Sequence, residues 1–422
     1  MSGGALQLPA LGSGRAYATR SIPLHKCHPA QSTIQTKIRL SILATALADA
    51  LGGPTEFKKR FRFPPHTRMT PNDSFGIPAG AWTDDTSLML CLCMALGSDG
   101  TGDADGRKVV KFDEMKQLEA YRRWWEDGYL SSVGECFDIG GTTAAALDIY
   151  ATMVSSPDTR SLILSGIAQN LSDPQCGGNG SLMRLLAIPL VFWREDEESL
   201  KKYAALSSRT THPNEVCVDI CEMWAVLLGR VLTSSISSPE GSTEEPQRMS
   251  KLDVLEYAAT YPYKTKTLQL SFMLALPPSV RPPPGISDDA KEAWYEANHP
   301  LLRLFKSASS RPATARNPFF IPEATELPSS GYVLHTVIAA LYCFLATDSF
   351  SDGAILAANM GDDSDTVGAI YGGLAGLWYG YGDHHELGNS FWDEKVTEWY
   401  EVLLQKEMLE EVIGHTCALA TS

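Results

Sequence analysis

The spacing of apolar residues predicts helices along most of the chain. Between residues 34 and 51 apolar side chains recur every three to four positions, and Gly52-Gly53-Pro54 stops the pattern. Alternation of apolar and polar residues with a period of two, which is typical of strands, is scarce. Similar helical patterns occur at 115–125, 142–150, 181–193, 214–232, 254–259 and 332–345. We therefore expect an all-α fold.

Two further helices differ from these. The run at 86–96 is apolar on every face and ends at Gly97, so we expect it to be buried. The helix at 366–379 carries glycines spaced four apart, and each glycine weakens a helix by about 1 kcal/mol relative to alanine. These glycines are Gly368, Gly372, Gly376 and Gly380. Close backbone packing must offset the loss, which predicts a central position for this helix.

The chain is expected to form one domain over residues 34–422, preceded by a flexible N-terminal extension over 1–33. Loops are predicted at 97–106, 234–248, 276–287 and 308–330. The last three bracket a region at about 233–330 that is typical of an insertion or elaboration. Residues 1–48 contain no Asp or Glu, as in a mitochondrial transit peptide, but Pro9 and Pro23 interrupt any amphipathic helix. We expect a cytoplasmic or nuclear protein, with the mitochondrion as the alternative.

The net charge excludes some classes of partner. At -15, with a pI near 5.1, the chain would repel phosphate backbones and anionic lipid, so we expect neither direct nucleic-acid binding nor membrane association. The most apolar stretch, 331–347, is shorter than the roughly 20 residues of a membrane span and predicts a buried helix. Nine cysteines without zinc spacing indicate a reducing compartment. We expect a monomer.

Two acidic segments precede strongly apolar helices, TDDT at 83–86 and DDSDT at 362–366. Asp and Thr at such positions commonly cap helices. A cap needs only one acidic residue, however, and these carboxylates have no Lys or Arg nearby in sequence. Uncompensated carboxylates beside a core are costly unless a cation pairs with them. Because Mg²⁺ and Mn²⁺ take about six oxygen ligands, the two segments predict a metal site.

Two other features are ambiguous taken alone. Glu56 emerges from a Gly/Pro turn where the first helix ends, which is an ordinary helix stop. The Gly-rich turn at 176–184 opens a predicted helix, and its backbone N–H groups could bind a phosphate. Taken alone, that turn is better interpreted as a simple loop.

Taken in order, these segments resemble the ADP-ribosylglycohydrolase family, named for the dinitrogenase-reductase-activating glycohydrolase. The resemblance runs from about residue 38 to residue 380. The segments are ADALGGPTE at 48–56, TDDTSL at 83–88, FDIGGTT at 137–143, GGNGSLMR at 177–184, THPNE at 211–215 and GDDSDTVGAIYGGLAGLWYG at 361–380. The order of the motifs is the specific signal.

The resemblance implies an orthogonal multi-helix bundle with a central binuclear metal cleft that holds two Mg²⁺ or Mn²⁺ ions. The implied metal ligands are Thr83, Asp84, Asp85, Asp363, Asp365 and Thr366. The implied catalytic residues are Glu56, Asp138 and Asp363. The implied substrate-binding residues are Gly140, Gly141, Thr142, Gly178, Asn179, Gly180, Ser181 and His212. Without the resemblance, His212 would be interpreted as a core histidine and Asp138 as a helix cap.

The function implied is metal-dependent hydrolysis of an ADP-ribosyl N-glycosidic bond, with ADP-ribose or an ADP-ribosylated protein as partner. FDIGGTT favours ADP-ribosyl-arginine on proteins. The alternatives are an O-linked substrate (serine, poly-ADP-ribose or O-acetyl-ADP-ribose), a non-catalytic ADP-ribose-binding protein, and a metal-dependent phosphohydrolase. One departure from the family pattern is that Asp362 and Ser364 replace a Gly and a Thr of its second acidic motif.

Overall fold

The computed structural model describes residues 20–102, 108–153, 159–237, 248–384, 386 and 388–422, and this part of the chain is predominantly α-helical. The helices are α1 (Ile34–Gly52), α2 (Asp84–Ala95), α3 (Glu114–Asp127), α4 (Gly141–Met153), α5 (Thr159–Leu171), α6 (Ala187–Val191), α7 (Glu197–Arg209), α8 (Glu215–Ser235), α9 (Lys251–Thr260), α10 (Lys266–Gln269), α11 (Asp288–Asn298), α12 (Pro300–Ser309), α13 (Val333–Ala346), α14 (Phe350–Ala358), α15 (Ser364–Tyr379), α16 (Glu394–Val402) and α17 (Lys406–Thr421). Short 3₁₀ helices occur at Leu24–Lys26, Gly53–Thr55 and Pro174–Cys176. The all-α prediction is confirmed.

Two short strands depart from the predicted loop at 97–106. Strand β1 (Gly97–Gly102) pairs antiparallel with β2 (Lys108–Lys111). The adjacent valines Val109 and Val110 have β-branched side chains that favour extended backbone. Residues 103–107, the rest of the predicted loop, lie outside the described residues.

The prediction of a helix over 181–193 is wrong for most of that segment. Residues 181–186 form successive turns, and only α6 is regular helix in this segment. The N–H groups of Leu182 and Met183 both donate to Asn179 O, at 2.8 and 3.1 Å. Pro189 has no N–H to continue an α-helical ladder. Apolar spacing alone therefore did not distinguish buried turns from a helix here.

Helices α1 and α15 pack antiparallel at the centre of the protein. A Cβ added at Gly368 would lie 2.6 Å from Ala48 O, and one at Gly372 would lie 2.4 Å from Ala44 O, both too close for any side chain. Every residue of α15 is buried, so the predicted central glycine helix is confirmed. This packing places the C-terminus of α1 against the N-terminus of α15.

The other two helices predicted to be buried are also found in the core. Residues 84–93 of α2 are all buried, and so is most of α13, which occupies the apolar stretch at 331–347. In the described ranges no helix combines the length and the apolar character that crossing a bilayer requires.

The described part of the predicted N-terminal extension contacts the region predicted as an insertion. Leu24 is fully buried, and its N–H donates to Glu292 Oε1 at 2.8 Å. Arg20 also forms an ion pair of 2.8 Å with Glu296. The region at 233–330 contains α9 to α12 and supplies core residues such as Leu255. Residues 1–19 and 238–247 lie outside the described part of the chain, and the domain limits stay predictions.

Candidate functional site

The two acidic segments lie together at the starts of two helices. Thr83 is the N-cap of α2 and Asp363 is the N-cap of α15. The Thr366 hydroxyl lies 3.3 Å from Asp85 Oδ2 and 3.0 Å from Asp363 Oδ1, so it connects the two segments. The antiparallel packing of α1 and α15 therefore brings residues far apart in sequence to one point.

Two groups of carboxylates have the spacing needed to hold a metal ion. In each group one oxygen per residue lies within 4.8 Å of the others; the groups are Asp49, Asp85 and Asp365, and Glu56, Asp363 and Asp365. Asp85 Oδ1, Asp365 Oδ1 and Glu56 Oε2 are buried and accept no hydrogen bond. Such oxygens are costly in a protein interior unless a cation binds them. This donor set fits hard divalent cations such as Mg²⁺ or Mn²⁺.

The pKa values of the clustered carboxylates also indicate a cation-binding site. Burial, followed by repulsion between the carboxylates, raises the pKa of Asp84, Asp85 and Asp365 well above the usual value of an aspartic acid. The pKa of Glu56 is raised by the same two causes, and burial raises the pKa of Asp363 to about 6. Burial and mutual repulsion outweigh the charge of Arg184, which interacts with Asp84. The cluster therefore holds excess negative charge that a bound cation or protons would neutralise.

Asp49 is a site residue to which the sequence assigned no role. Its buried carboxylate accepts hydrogen bonds from Thr83 N at 3.0 Å and Thr86 N at 3.1 Å. It also accepts from the hydroxyls of Thr83 at 3.0 Å and Thr86 at 2.6 Å. Asp49 thus holds the first turn of α2 in place beside the carboxylates. A carboxylate in the otherwise apolar run at 42–51 was the available signal.

The acidic cluster forms the floor of a cavity of about 290 Å³. Twelve of the predicted site residues line it: Glu56, Asp84, Asp138, Gly140, Gly141, Thr142, Gly178, Asn179, Gly180, His212, Asp363 and Thr366. Thr83, Asp85 and Asp365 are buried and do not line the cavity. Ser181 is also fully buried, with its hydroxyl accepting from Ser208 Oγ at 3.0 Å, so its side chain faces the core.

The Gly-rich turn at 178–180 is held against the second acidic segment. The Asn179 side-chain amide donates to Asp363 Oδ2 at 2.6 Å, and Asn179 N donates to Gly331 O at 3.0 Å. A Cβ added at Gly180 would lie 2.7 Å from His212 Cε1, so the ring requires a glycine there. The turn is therefore fixed by Asp363 on one side and His212 on the other.

His212 is a neutral side chain at the cavity wall. Burial first, and then the positive charge of Arg184, lower the pKa of His212 to about 3. Its Nδ1 lies 2.8 Å from the Thr211 hydroxyl, which orients the ring. A neutral imidazole can form a hydrogen bond at Nε2 without adding charge to the site.

Asp138 is partly buried, lines the cavity and is not a helix cap. Helix α4 begins at Gly141, so Asp138 falls before the cap position. Its φ of 56° is in the left-handed region, which aspartate adopts at some cost. Burial raises the pKa of Asp138 to about 7, while a side-chain hydrogen bond with Glu56 opposes this rise. The next positions, Gly140 and Gly141, face open space, since an added Cβ would meet no atom within 4 Å.

Five lining residues carried no predicted site role: Phe57, Thr143, Met183, Gly331 and Asp362. Asp362 was noted in the second acidic segment and as a departure from the family motif. Gly331 directly follows the predicted loop at 308–330, and a Cβ added there would lie 3.4 Å from Asp363 Oδ2. Phe57 follows Glu56 with nothing in the sequence to distinguish it from an ordinary loop residue. Their positions depend on how distant loops meet.

The fold and the acidic cluster define an all-helical hydrolase. A sequence model of the ADP-ribosylglycohydrolase family matches residues 30–418, and the chain belongs to that family. It is a hydrolase of the glycosidase class. The family resemblance inferred from the motifs is confirmed.

Three curated relatives are similar along most of the chain. ADP-ribosylarginine hydrolase Tri1 of Pseudomonas putida is 29% identical over 343 residues, 81% of this chain and 70% of that protein. ADP-ribosylarginine hydrolase Tri1 of Serratia proteamaculans is 25% identical over 406 residues, 96% and 85% of the two chains. ADP-ribosylhydrolase ARH3 of Gallus gallus is 22% identical over 424 residues, 95% and 97%.

One solved structure supports the fold independently. A chain described as an ADP-ribosylglycohydrolase-related protein complex superposes with a TM-score of 0.56 and 24% identity. The match covers 92% of this chain and 99% of that chain. At that identity the similarity establishes the fold alone.

Proposed function

We propose that this ADP-ribosylglycohydrolase removes ADP-ribose from arginine side chains of proteins, using two Mg²⁺ or Mn²⁺ ions. Asp138 carries the arginine assignment, because it adds a carboxylate outside the predicted metal ligands to the cavity lining, and a carboxylate can bind a departing guanidinium. The similarity to two relatives named ADP-ribosylarginine hydrolase, over 81% and 96% of the chain, supports it.

The carboxylates of the site would hold the metal ions. Asp365 belongs to both groups, so it would contribute to holding either ion, and the ions would supply charge stabilisation at the site. Bound divalent cations would orient the hydroxyls of the distal ribose and favour ionisation of a water molecule. Thr83, Asp84 and Thr366 supply further oxygens at the edge of the two groups.

The remaining residues bind and orient the substrate. Because Asn179 N already donates to Gly331 O, Gly178 and Gly180 are the residues of the turn whose N–H groups would bind the diphosphate, and the neutral His212 would offer one hydrogen bond beside them. Hydrolysis adds water to the anomeric carbon, breaks its bond to the guanidine nitrogen, and returns a proton to that nitrogen. Glu56 and Asp138, which share a hydrogen bond, are placed to carry this proton.

A panel of defined substrates tests the acceptor. Peptides carrying ADP-ribose on arginine or on serine, together with O-acetyl-ADP-ribose, would be incubated with the protein and Mg²⁺, and released ADP-ribose measured by chromatography. We expect the arginine-linked peptide to have a kcat/KM at least about tenfold above the others, since one well-placed charged contact is worth at least 1.4 kcal/mol. Preferential cleavage of the serine peptide would overturn the arginine assignment, and phosphate release would indicate a phosphohydrolase.

A further inference from the structure

We propose that Phe57 and Asp362 form an acceptor rim, a binding site for the guanidinium group of the modified arginine. This proposal rests on the proposed arginine specificity and adds to it the residues that determine it. Both residues line the catalytic cavity, as does Asp138. Neither belongs to the predicted metal or ADP-ribose ligands.

The first observation is backbone strain among the residues that line the cavity. In the described part of the chain seven non-glycine residues have positive φ, and three of them line this cavity: Phe57 at 59°, Asp138 at 56° and Asp362 at 61°. Such conformations cost free energy and persist where surrounding structure imposes them, often at ligand sites. Phenylalanine is especially unfavourable there, since it lacks the polar group with which Asp can stabilise this conformation.

The second observation is how this strain is maintained. Phe57 N donates to Asp362 O at 2.6 Å, and Asp362 N donates to Lys58 O at 2.9 Å. These two hydrogen bonds join the loop after Glu56 to the loop before Asp363. These backbone contacts therefore hold Phe57 and Asp362 next to Glu56 and Asp363, two of the three predicted catalytic residues.

The third observation is the exposure of the ring. Phe57 is 64% exposed, although phenylalanine side chains are usually buried. Its ring lies 6.0 Å from that of Phe75, which lies 5.5 Å from that of Phe137. The aromatic row thus runs from Phe57 to the residue directly before Asp138.

The fourth observation is negative charge beside this ring that no direct ion pair neutralises. Asp362 is exposed, and in the described part of the chain Arg60 and His335 interact with its charge without lying within ion-pair distance. A guanidinium is planar and cationic, so it can stack on a phenyl face while donating hydrogen bonds to carboxylates. A serine hydroxyl has neither property. The rim therefore matches an arginine acceptor in shape and in charge.

The test uses two ligands of similar shape, one with a cationic guanidinium and one with a neutral ureido group in its place. The full chain, saturated with ADP-ribose and Mg²⁺, would be titrated by NMR with agmatine and with N-carbamoylputrescine, its neutral ureido counterpart. We expect Phe57→Ala and Asp362→Asn each to weaken agmatine binding by roughly three- to tenfold and to leave the ureido ligand unaffected. Phe57→Tyr keeps the aromatic face and should bind agmatine as the native protein does.

Matched controls remove similar groups that do not line the cavity. Phe272 is 53% exposed and Asp127 is exposed, and neither lines the cavity, so Phe272→Ala and Asp127→Asn should bind both ligands normally. ADP-ribose and Mn²⁺ affinities report whether each variant is folded with an intact metal site. If Phe57→Ala does not fold with an intact metal site, the agmatine affinities of Asp362→Asn and Phe57→Leu test the proposal in its place.

The outcomes separate this proposal from the proposed function. If the native protein cleaves the arginine-linked peptide but the rim variants bind agmatine as it does, the acceptor rim is refuted and the function stands. If the native protein binds ADP-ribose but does not cleave that peptide, the proposed function fails. Equal binding of agmatine and its ureido counterpart to the native protein would also refute the rim.

Discussion

Asn179 and Asp363, 184 residues apart in sequence, are joined by a hydrogen bond of 2.6 Å from the Asn179 amide to Asp363 Oδ2. The same amide lies 3.0 Å from the Thr336 hydroxyl, which anchors it to α13. Because Asp363 belongs to one of the two carboxylate groups, this contact couples the Gly-rich turn to the proposed metal site.

Removing the amide should therefore weaken metal binding. We expect Asn179→Ala to lower Mn²⁺ affinity and kcat/KM by about 10- to 100-fold, the usual effect of losing a group that orients a metal ligand. Electron paramagnetic resonance would measure free Mn²⁺. Asn298→Ala is the control, since the Asn298 amide bonds only within its own helix. Unchanged Mn²⁺ affinity in Asn179→Ala would contradict the coupling.

The contact between Thr86 and Asp49 makes a prediction for stability. Thr86→Val keeps the shape of the side chain but removes the hydroxyl that donates to Asp49 Oδ2 at 2.6 Å. We expect the free energy of unfolding to fall by about 1–3 kcal/mol, because a buried carboxylate loses one of its donors. Thr86→Ser retains the hydroxyl and should lose less. Equal urea midpoints for the two variants would show that this bond contributes nothing.

Two Gly→Ala substitutions, one in the contact between α1 and α15 and one outside it, should have opposite effects on stability. At Gly372 the new Cβ would lie 2.4 Å from Ala44 O, so Gly372→Ala should destabilise the protein by about 1–3 kcal/mol through overpacking. At Gly414, in α17, no atom lies within 4 Å, so Gly414→Ala should stabilise by about 0.5–1 kcal/mol. Thermal unfolding of both variants provides the comparison, and a neutral Gly372→Ala would contradict the close helix approach.

Lys37 gives a pH-dependent prediction away from the site. Burial lowers the pKa of Lys37 to about 7, and its ammonium donates to Leu377 O at 2.8 Å. Between pH 7 and about 10.5 the unfolded chain binds the proton that the folded protein releases, so this residue makes stability rise with pH. The free energy of unfolding of Lys37→Met, relative to the native protein, should therefore rise by on the order of 4 kcal/mol as pH falls through this window.

Urea unfolding of both proteins at several pH values between 6 and 10 measures this difference. All other titrating groups are common to both proteins, so their contributions cancel to first order. If the difference in free energy of unfolding between the two proteins stays constant across this pH range, Lys37 has its ordinary pKa in the folded protein.

The sequence predicted the elements whose signals are local. Periodicity located α1, the apolar run at 86–96 located the buried α2, whose first turn also includes Asp84 and Asp85, and the glycine row identified α15 as central. The order of motifs predicted the residues that meet in the cavity, which spacing alone would have left as separate helix caps and turns.

The rest depended on contacts between distant segments. Asp49 receives its role only from Thr83 and Thr86, which lie 34 and 37 residues away. The position of Phe57 is fixed by the backbone of Asp362, and the turns at 181–186 are fixed by the surrounding core. No local pattern of residue types encodes these relationships, which arise when loops meet in the folded chain.

The most direct measurement is release of ADP-ribose from an arginine-linked peptide by the native protein, by Asp363→Ala and by Asp127→Ala, each with Mg²⁺ and with EDTA. We expect release by the native protein and by Asp127→Ala with Mg²⁺ only, and a loss of at least about 100-fold in Asp363→Ala, because a carboxylate of the metal cluster is removed. Release that persists in EDTA, or in Asp363→Ala at the native rate, would contradict a metal-dependent hydrolase centred on this cluster.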